Sequence, residues 1–253
     1  MKFGIGGINK NIKSGLIGIG GVNKNLKEVY VGIGGVNKLV WSAFVAVGRL
    51  YHCDRSTDNN YELNVDTLAV INTVSSPSTS PYGIGGINSR LYHCDTQIDK
   101  NYELNINTLA TTTTVSSTGG LPFGMGGINN RLYHCEYFTE KNYELNVDTL
   151  AVINAVSNPG VYPSGIGGIN NRLYHCDATH DNNYELNVNT LATINTVSSP
   201  STSPFGIGGI NARLYHCDSN PDNNYELNVD TLATINTVSS PGIQPSGIGG
   251  VKV

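Results

Sequence analysis

Charged side chains are scarce in this chain: Asp, Glu, Lys and Arg make up only 13% of its 253 residues, against 39% hydrophobic residues. This composition lies within the globular range and excludes collagen and coiled coils. Long apolar runs are also missing. The longest, such as Leu39–Trp41 and Ala43–Val47, are far too short to cross a bilayer, and no charged start followed by an apolar core resembles a signal peptide. We therefore expect a chain made in the cytosol, without membrane insertion.

Residues that favour helices are few, since Ala, Glu and Lys are outnumbered by turn-forming and strand-forming types. The chain has 30 Gly and 10 Pro, together with many Asn, Thr and Ser. Such a composition disfavours long helices and favours short strands joined by turns. The composition alone predicts an all-β protein.

The sequence repeats with a period of 41 residues. The pentapeptide Arg-Leu-Tyr-His-Cys recurs five times, with its leucine at Leu50, Leu91, Leu132, Leu173 and Leu214. Turn signals divide the unit into four short segments, which in the second unit are Gly83–Ile87, Leu91–Asp95, Asn101–Asn105 and Ala110–Val115. Each unit therefore predicts four strands.

A four-stranded unit of this length cannot bury both of its faces alone, and the usual solution is a ring of blades around a central channel. The repeat therefore predicts a five-bladed β-propeller over residues 41–253. A Gly-Ile pair after an x-Pro-x segment, then Arg-Leu-Tyr, Asn-Tyr-Glu-Leu-Asn and Ala-Thr-Ile, resembles the YVTN, NHL and kelch families of β-propeller repeats. The resemblance covers about Trp41 to Val253 and implies the fold; those families include enzymes, lectins, scaffolds and adhesins, so it implies no single activity.

The glycine-rich motif has a packing explanation in such a ring. First strands converge on the channel, where Cβ atoms would crowd, so glycine suits these positions. The segment Gly83–Asn88 lacks the third glycine of a dinucleotide fingerprint and the Lys-Ser/Thr of a P-loop, which speaks against nucleotide binding.

Two segments compete for the first strand of blade one. The C-terminal Gly247–Val251 repeats the motif faithfully, whereas Ser42–Val47 occupies the aligned position but is bulkier. Closure by residues 247–251 would remove the open edges of the ring, and we favour it. Pairing by the local segment has the lower loop-closure cost, so both remain open.

A second, shorter repeat precedes the propeller. Gly4–Lys10, Gly18–Lys24 and Gly32–Lys38 recur with a period of 14, and we expect each unit to be a β-hairpin turning at Asn-Lys-Asn. Three hairpins make a poor core, so residues 1–40 are expected to anchor or oligomerise the protein. Residues 1–47 hold six Lys and one Glu, a balance of +5, while the remainder holds nine basic and eighteen acidic residues, a balance of −9. The Lys lack interleaved aromatics, so we expect no nucleic-acid binding.

The short repeats also resemble the Gly-Val-Asn-Gly-Val and Gly-Val-Gly-Gly-Val units with Lys-rich turns that open many minor virion proteins of phages of Gram-positive bacteria. This resemblance covers about Met1 to Trp41. It implies a phage or prophage structural protein of the tail or head fibre type, located in a virion assembled in the bacterial cytoplasm. A cytoplasmic protein without a virion role is the alternative location.

Cysteine and histidine recur once per blade, as in Tyr51-His52-Cys53. Equivalent positions in different blades are expected to lie beyond the roughly 7 Å Cα limit of a disulfide, so the cysteines should be reduced and buried. Consecutive side chains on a strand point to opposite faces, so His52 and Cys53 cannot chelate one ion. We therefore predict Tyr51, His52, Cys53 and Leu63 as structural core, with no metal and no cofactor.

Carboxylates also recur, as in Asp54, Asp58 and Glu62. Paired carboxylates suit calcium binding or glycoside hydrolysis. Repetition in all five blades instead indicates Asp and Asn side chains that cap their own turns, because a catalytic pair is needed only once. We predict no catalytic residues and no enzyme activity.

Differences between the repeats are concentrated in two loops per blade, which an up-and-down blade places on the same face of the ring. Loops on a rigid framework are common recognition sites, although neutral drift in solvated loops gives the same pattern. Tyr137, Phe138 and Tyr162 favour binding, since neighbouring exposed aromatics are costly without a sugar or protein partner. The predicted binding residues are Arg55, Gln97, Tyr137, Phe138, Tyr162, His180, Asn220 and Gln244.

The sequence therefore predicts a non-enzymatic virion protein that displays a β-propeller for binding a host cell-surface glycan or protein. Other virion proteins would bind residues 1–40, and a homo-oligomer would raise avidity. The alternative is a five-bladed lectin-like protein without a virion role, with sugars in repeated pockets between the blades.

Overall fold

The protein is all-β, as predicted. The computed structural model describes residues 48–252 in full and, before them, the backbone of residues 2–5, 8–11, 16–19, 22–25, 28–33 and 36–42. Chain contacts divide it into two compact units, Met1–Ala46 and Val47–Val253. The described residues contain strands and turns only, so none of them belongs to a helix that could span a membrane.

The described residues of the N-terminal unit form three two-stranded antiparallel sheets. Their strands are β1 (Lys2–Ile5), β2 (Ile8–Asn11), β3 (Leu16–Ile19), β4 (Val22–Asn25), β5 (Glu28–Ile33) and β6 (Val36–Ser42). Ile5 pairs with Ile8, and Ile33 with Val36, so two glycines separate the paired strands in each sheet. The predicted turn at Asn-Lys-Asn is therefore wrong. Asn9-Lys10-Asn11 and Asn23-Lys24-Asn25 lie within the second strands of their sheets, so they do not form the turns.

Residues 48–252 form five four-stranded antiparallel sheets, the blades of the predicted propeller. In each blade the strands lie in the order first, second, third and fourth. From blade one to blade five they are β26 (Pro245–Lys252), β7 (Gly48–Asp54), β8 (Asn59–Leu63), β9 (Val70–Ser75); β10 (Pro81–Ile87), β11 (Arg90–Asp95), β12 (Lys100–Leu104), β13 (Thr111–Ser116); β14 (Pro122–Ile128), β15 (Arg131–Glu136), β16 (Lys141–Leu145), β17 (Val152–Ser157); β18 (Pro163–Ile169), β19 (Arg172–Asp177), β20 (Asn182–Leu186), β21 (Thr193–Ser198); and β22 (Thr202–Ile210), β23 (Arg213–Asn220), β24 (Asn223–Leu227), β25 (Thr234–Ser239).

Blade one takes its first strand from the end of the sequence. β26 pairs with β7 in the register Gly247↔Cys53 to Val251↔Arg49, which matches Gly83↔Cys94 to Ile87↔Arg90 in blade two. The competing segment, Ser42–Val47, lies outside the described residues except for Ser42. Backbone hydrogen bonds between β26 and β7 therefore close the ring.

The five first strands approach one another so closely at the axis that side chains do not fit. A Cβ on Gly249 would lie 2.7 Å from the carbonyl oxygen of Ile84, and one on Gly208 would lie 2.8 Å from that of Ile248. Real Cβ contacts are longer, so glycine is a steric requirement here. The strands leave an axial space of only about 10 Å³.

The two faces of each blade pack against different neighbours. In blade one, Tyr51 and Cys53 pack with Leu91 and Leu104 of blade two, whereas Leu50 packs with blade five. Tyr51, His52, Cys53 and Leu63 are each at most 1% exposed. The five cysteines are unpaired with one another, and burial raises their thiol pKa values.

A buried tyrosine hydroxyl joins each blade to the next. Tyr51 donates a hydrogen bond to the carbonyl oxygen of Ile106 at 2.7 Å, and Tyr215 of blade five donates to Val65 of blade one at 2.7 Å. The same bond occurs in the other three blades. All five rings are fully buried, so each one removes apolar area from water and satisfies its hydroxyl group.

The repeated histidine lies in the interface between blades. His52 Nε2 is 3.1 Å from the Ser240 hydroxyl of blade five, and His93 Nε2 is 3.1 Å from the Ser76 hydroxyl of blade one. Blade four differs because Asn158 replaces this serine, and neither ring nitrogen of His175 has a hydrogen-bond partner in the described structure. Burial lowers the pKa of His52 and His175 to about 4, and that of His93 and His216 to about 3.

The first prediction concerns ring closure. Gly249→Ala places a Cβ against the backbone of Ile84, so we expect a loss of about 1–3 kcal/mol in the free energy of unfolding. Denaturant titration measures it. Ile71→Thr is the matched control: Ile71 is 59% exposed, and blade two already carries Thr112 at the aligned position. Equal stability of the two variants would contradict a crowded axis.

The second prediction concerns pH. Unfolded histidine has a pKa of about 6.5, so unfolding takes up to four protons between pH about 6.5 and about 4. The free energy of unfolding should therefore fall as pH falls through this window, by about 1.4 kcal/mol per pH unit for each proton. Asp218, whose pKa burial raises to about 6, partly opposes the loss. Melting temperatures measured from pH 4 to 8 test this prediction. We expect a constant melting temperature above pH 7 and a fall below it, and a melting temperature that stays constant down to pH 4 would contradict the prediction.

Candidate binding face and its axial cap

Two sets of loops lie on the same rim of the ring, as predicted from the strand order. The loop between second and third strands contacts the loop that joins consecutive blades: the Arg55 N–H donates to the Gln244 carbonyl at 3.0 Å, and the Ala178 N–H to that of Tyr162 at 3.0 Å. We call this the variable rim, comprising residues 55–58, 96–99, 137–140, 178–181, 219–222, 76–80, 117–121, 158–162, 199–203 and 240–244. The opposite rim, with the turns after the first and third strands, is the uniform rim.

Repeated carboxylates hold the loops of the variable rim. One carboxylate oxygen of Asp54 accepts hydrogen bonds from the Ser56 and Thr57 N–H groups, each at 3.0 Å. Asp58 accepts one from the Ser80 N–H at 2.9 Å, which ties two loops together. Among the described residues no three His, Cys, Asp or Glu side chains form a group that could hold a metal ion. Asp54 and Asp58 therefore act as loop caps, whereas Glu62, the third recurring carboxylate, pairs with Arg49 at the uniform rim.

In blade three a glutamate takes the place of the loop-capping aspartate. Glu136 replaces the repeated aspartate, and its longer side chain reaches His134 Nε2 at 3.2 Å, with both groups fully buried. Burial opposes ionisation of Glu136, but the hydrogen bond and charge of His134, the Ser117 hydroxyl and the Gly119 N–H outweigh it and lower the pKa to about 2. The loop of blade three is therefore held by a buried carboxylate that is hydrogen-bonded to His134, to the Ser117 hydroxyl and to the Gly119 N–H.

The loops that join the blades follow two patterns. Ser80, Leu121 and Ser203, each just before a proline, have positive φ angles of 68°, 55° and 63°. Tyr162 and Gln244 occupy the same position without a positive φ, and their N–H groups donate to Asp177 and Asp54.

The residue after the proline changes together with the loop pattern. Loops of the first pattern are followed by Tyr82, Phe123 and Phe205, and loops of the second by Ser164 and Ser246. The hydroxyl groups of these serines donate to proline carbonyls of the next blade at 2.5 and 2.6 Å. Each blade thus places one large side chain over the channel. In blades one and four it comes from the residue before the proline, Gln244 and Tyr162, and in the other blades from the residue after it, Tyr82, Phe123 and Phe205.

These five side chains, with Arg55 and Tyr137, form what we call the axial cap. The ring centroids of Tyr82 and Phe123 are 4.3 Å apart, and those of Phe123 and Tyr162 are 5.3 Å apart and stacked. Tyr137 lies 4.4 Å from Tyr162, and Tyr82 lies 5.9 Å from Phe205. The cap covers the channel at the variable rim with an aromatic layer supplied by blades two to five.

Blade one interrupts this aromatic layer with polar groups. Arg55 Nε donates to the Gln244 side-chain oxygen at 3.0 Å, and another guanidinium nitrogen donates to the Tyr82 hydroxyl. The guanidinium carbon lies 5.0 Å from the ring centroid of Tyr82 and 5.7 Å from that of Phe205. None of the ion pairs within residues 48–252 involves Arg55.

The structure divides the predicted binding residues into two sets. Arg55, Tyr137, Tyr162 and Gln244 come together in the axial cap and are half-buried. The expectation of neighbouring exposed aromatics is therefore wrong for Tyr137 and Tyr162, because they pack on Phe123; only Phe138 is strongly exposed, at 77%.

The remaining predicted residues are separate exposed points on the variable rim. The backbone N–H groups of Gln97, His180 and Asn220 donate to the carboxylates of their own loops. The His180 ring also lies 3.0 Å from Asp177. These three residues belong to three different blades, and no hydrogen bond joins their side chains.

Tyr82, Phe123 and Phe205, three of the five aromatic side chains of the cap, were not predicted from the sequence. Their signal was present in the sequence, since one position of a nearly constant first strand alternates among Tyr, Phe and Ser. The alternation can be interpreted only together with the residue two positions earlier, because serine follows the proline where Tyr162 or Gln244 precedes it.

Comparisons with known proteins identify the fold and nothing finer. No protein-family model matches the chain, and no curated protein matches its sequence. A chain from a crystal structure of a nidogen/laminin complex is similar over 81% of this chain and 98% of that chain, with a TM-score of 0.59 and 13% identity. A glutaminyl cyclase from Myxococcus xanthus matches over 62% of this chain and 76% of its own, with a TM-score of 0.53 and 13% identity.

The structural neighbours are β-propeller proteins. This agrees with the resemblance of residues 41–253 to such repeats, and at this identity it supports the fold alone. The five-bladed β-propeller is confirmed by the sheet order of the structure.

The third prediction concerns the paired loop patterns. Tyr162→Ser should leave a gap in the cap, and Ser164→Phe should crowd Tyr162, so each change is expected to cost about 2 kcal/mol or more. Together they reproduce the arrangement of blade five, Ser203 with Phe205, and should cost clearly less than the sum. A double-mutant cycle by denaturant titration measures the coupling. Additive losses would mean that the two positions do not fill one space.

Proposed function

We propose that the protein is a non-enzymatic binding module of a phage or prophage virion, of the tail or head fibre type, whose variable rim attaches to the host cell surface. The observation that carries the proposal is the division between the rims. The uniform rim repeats the same contacts in every blade, such as Arg90 with Glu103 and Arg172 with Glu185, whereas on the variable rim the loop between the second and third strands differs in every blade. A rigid framework with differing loops is the arrangement of recognition surfaces.

Exposed apolar side chains support this assignment. The ten large hydrophobic residues that are exposed within residues 48–252 fall into two groups. Six lie on outer fourth strands, and the other four, Ile98, Phe138, Val161 and Ile243, lie in loops of the variable rim. Phe138 and Ile243 are 77% and 70% exposed, which is costly in water and is offset when a partner covers them.

The virion setting is supported by the short N-terminal repeats and their resemblance to phage virion proteins. In this proposal residues 1–40 bind other virion proteins or copies of the same chain, and the propeller binds a host glycan or protein. Several propellers on one particle would raise avidity even where a single contact is weak.

A lectin-like protein with one sugar per blade is the second candidate. A cleft of about 420 Å³ lies between blades four and five at the uniform rim and is lined by Arg172, Asp230 and Ile235 among others. Equivalent residues recur around the ring, so this candidate requires up to five similar sites. The number of sites per chain separates it from binding at the variable rim.

The fourth prediction tests binding through the variable rim. Phe138→Ala combined with Ile243→Ala should weaken attachment of the labelled full-length chain to cell envelopes of Gram-positive bacteria by at least tenfold, about 1.4 kcal/mol. Ile71→Thr combined with Ile235→Thr is the matched control, because both isoleucines are 59% exposed but lie on fourth strands. Loss of attachment in the control alone would place the binding surface elsewhere.

A further inference from the structure

The axial cap is aromatic in four blades and cationic in one. Tyr82, Phe123, Tyr162 and Phe205 present rings, and blade one presents Gln244 with Arg55 beside it. The position of Arg55 in its loop is occupied by Thr96, Tyr137, Ala178 and Ser219 in the other blades, so no structural rule of the repeat requires an arginine.

Arg55 differs from the other arginines in its charge balance. The five repeated arginines lie at the uniform rim, and each binds a glutamate of its own blade through two nitrogens. Arg55 instead contacts a carboxamide, a phenol hydroxyl and two ring faces. Its positive charge is therefore half-buried among neutral groups at the channel mouth.

We propose that the axial cap is a single binding site for a sugar that carries a carboxylate, such as a uronic or sialic acid unit of a glycan. The inference rests on the proposed function of the variable rim and names the ligand class of that rim. The guanidinium group of Arg55, aided by Gln244, binds the carboxylate, and the half-buried rings of Tyr162 and Tyr137 contact the apolar face of the sugar.

The site has two parts, the guanidinium group of Arg55 and the rings of Tyr137 and Tyr162, and each part fits one portion of this ligand. Arginine binds planar carboxylates through paired hydrogen bonds, and such charge-assisted bonds are about twice as strong as neutral ones. The Phe205 ring lies between the two parts, 5.7 Å from the Arg55 guanidinium carbon and 6.3 Å from the Tyr162 ring centroid. The two parts of the site therefore lie within the span of one or two sugar rings.

Surrounding charge restricts the ligand to one carrying few negative charges. Residues 48–253 hold nine basic and eighteen acidic residues, and Asp58, Asp99 and Asp181 lie in the loops of the same rim. Such a field disfavours polyanions such as nucleic acids or polyphosphate. A single carboxylate on a mostly neutral sugar avoids most of this repulsion.

The test is titration of the full-length chain with glucuronic acid and with N-acetylneuraminic acid. Binding is measured by calorimetry and by ligand-observed NMR, and glucose and N-acetylglucosamine serve as uncharged counterparts. We expect one site per chain for the acids and at least tenfold weaker binding of the uncharged sugars. Arg55→Gln should weaken acid binding at least tenfold, and Arg55→Lys should weaken it less, since the charge is kept but the paired geometry is lost.

Lys100→Gln is the matched control, because Lys100 begins the third strand of blade two at the same rim and bonds only to Ser116. It should leave acid binding unchanged, and melting curves of each variant show whether the fold is intact. Three results would overturn the inference: no binding of either acid, equal loss in Arg55→Gln and Lys100→Gln, or acetate that competes as well as the sugar acids. Attachment to cells that is lost in the Phe138 and Ile243 variant but kept in Arg55→Gln would remove this ligand and leave the proposed function standing.

Discussion

Steric crowding at the axis is the constraint on which the rest of the propeller depends. Five first strands meet around a space of about 10 Å³, and glycines such as Gly208 and Gly249 are the residues that permit this approach. Because the strands supply almost no side chains there, the stability of the ring has to come from the interfaces between blades. The buried tyrosines supply much of it, since each one combines a large apolar ring with a hydrogen bond to the next blade.

The same crowding explains why the mouth of the channel is irregular. Above the glycines the strands diverge enough for one large side chain per blade, and two loop patterns deliver it from either side of the proline. Ser164 and Ser246 are small because Tyr162 and Gln244 already fill the space. The five blades therefore do not carry the same side chain at the mouth of the channel. This allows blade one to place a different chemical group, the guanidinium of Arg55, at one point of an otherwise repetitive ring.

The repeat made the fold predictable, and its exceptions made the site difficult to predict. Period, strand order and turn residues predicted the five blades, because each repeats five times and errors in one unit are corrected by the others. Tyr137 and Tyr162 were identified as candidates, but their burial was not, since it depends on Phe123, which was not singled out in the sequence. Phe123 lies on the strand next to Tyr137 in blade three, whereas Tyr162 reaches it only when blades three and four pack together. The N-terminal turn was misplaced because Gly-Gly forms a strand in the propeller and separates two strands in the hairpins. One short motif therefore supports two backbone pairings, and only its context decides between them.

Closure of the ring by β26 has a mechanical consequence. Val251 pairs with Arg49 and Lys252 with Gly48, so the first and last residues of the propeller lie side by side at one end of a single antiparallel ladder. A force that separates these two ends would load the hydrogen bonds one after another, as in opening a zipper, and not all at once in shear. The ring would then resist tension through its ends only weakly, although the five interfaces between its blades remain intact until that ladder has opened.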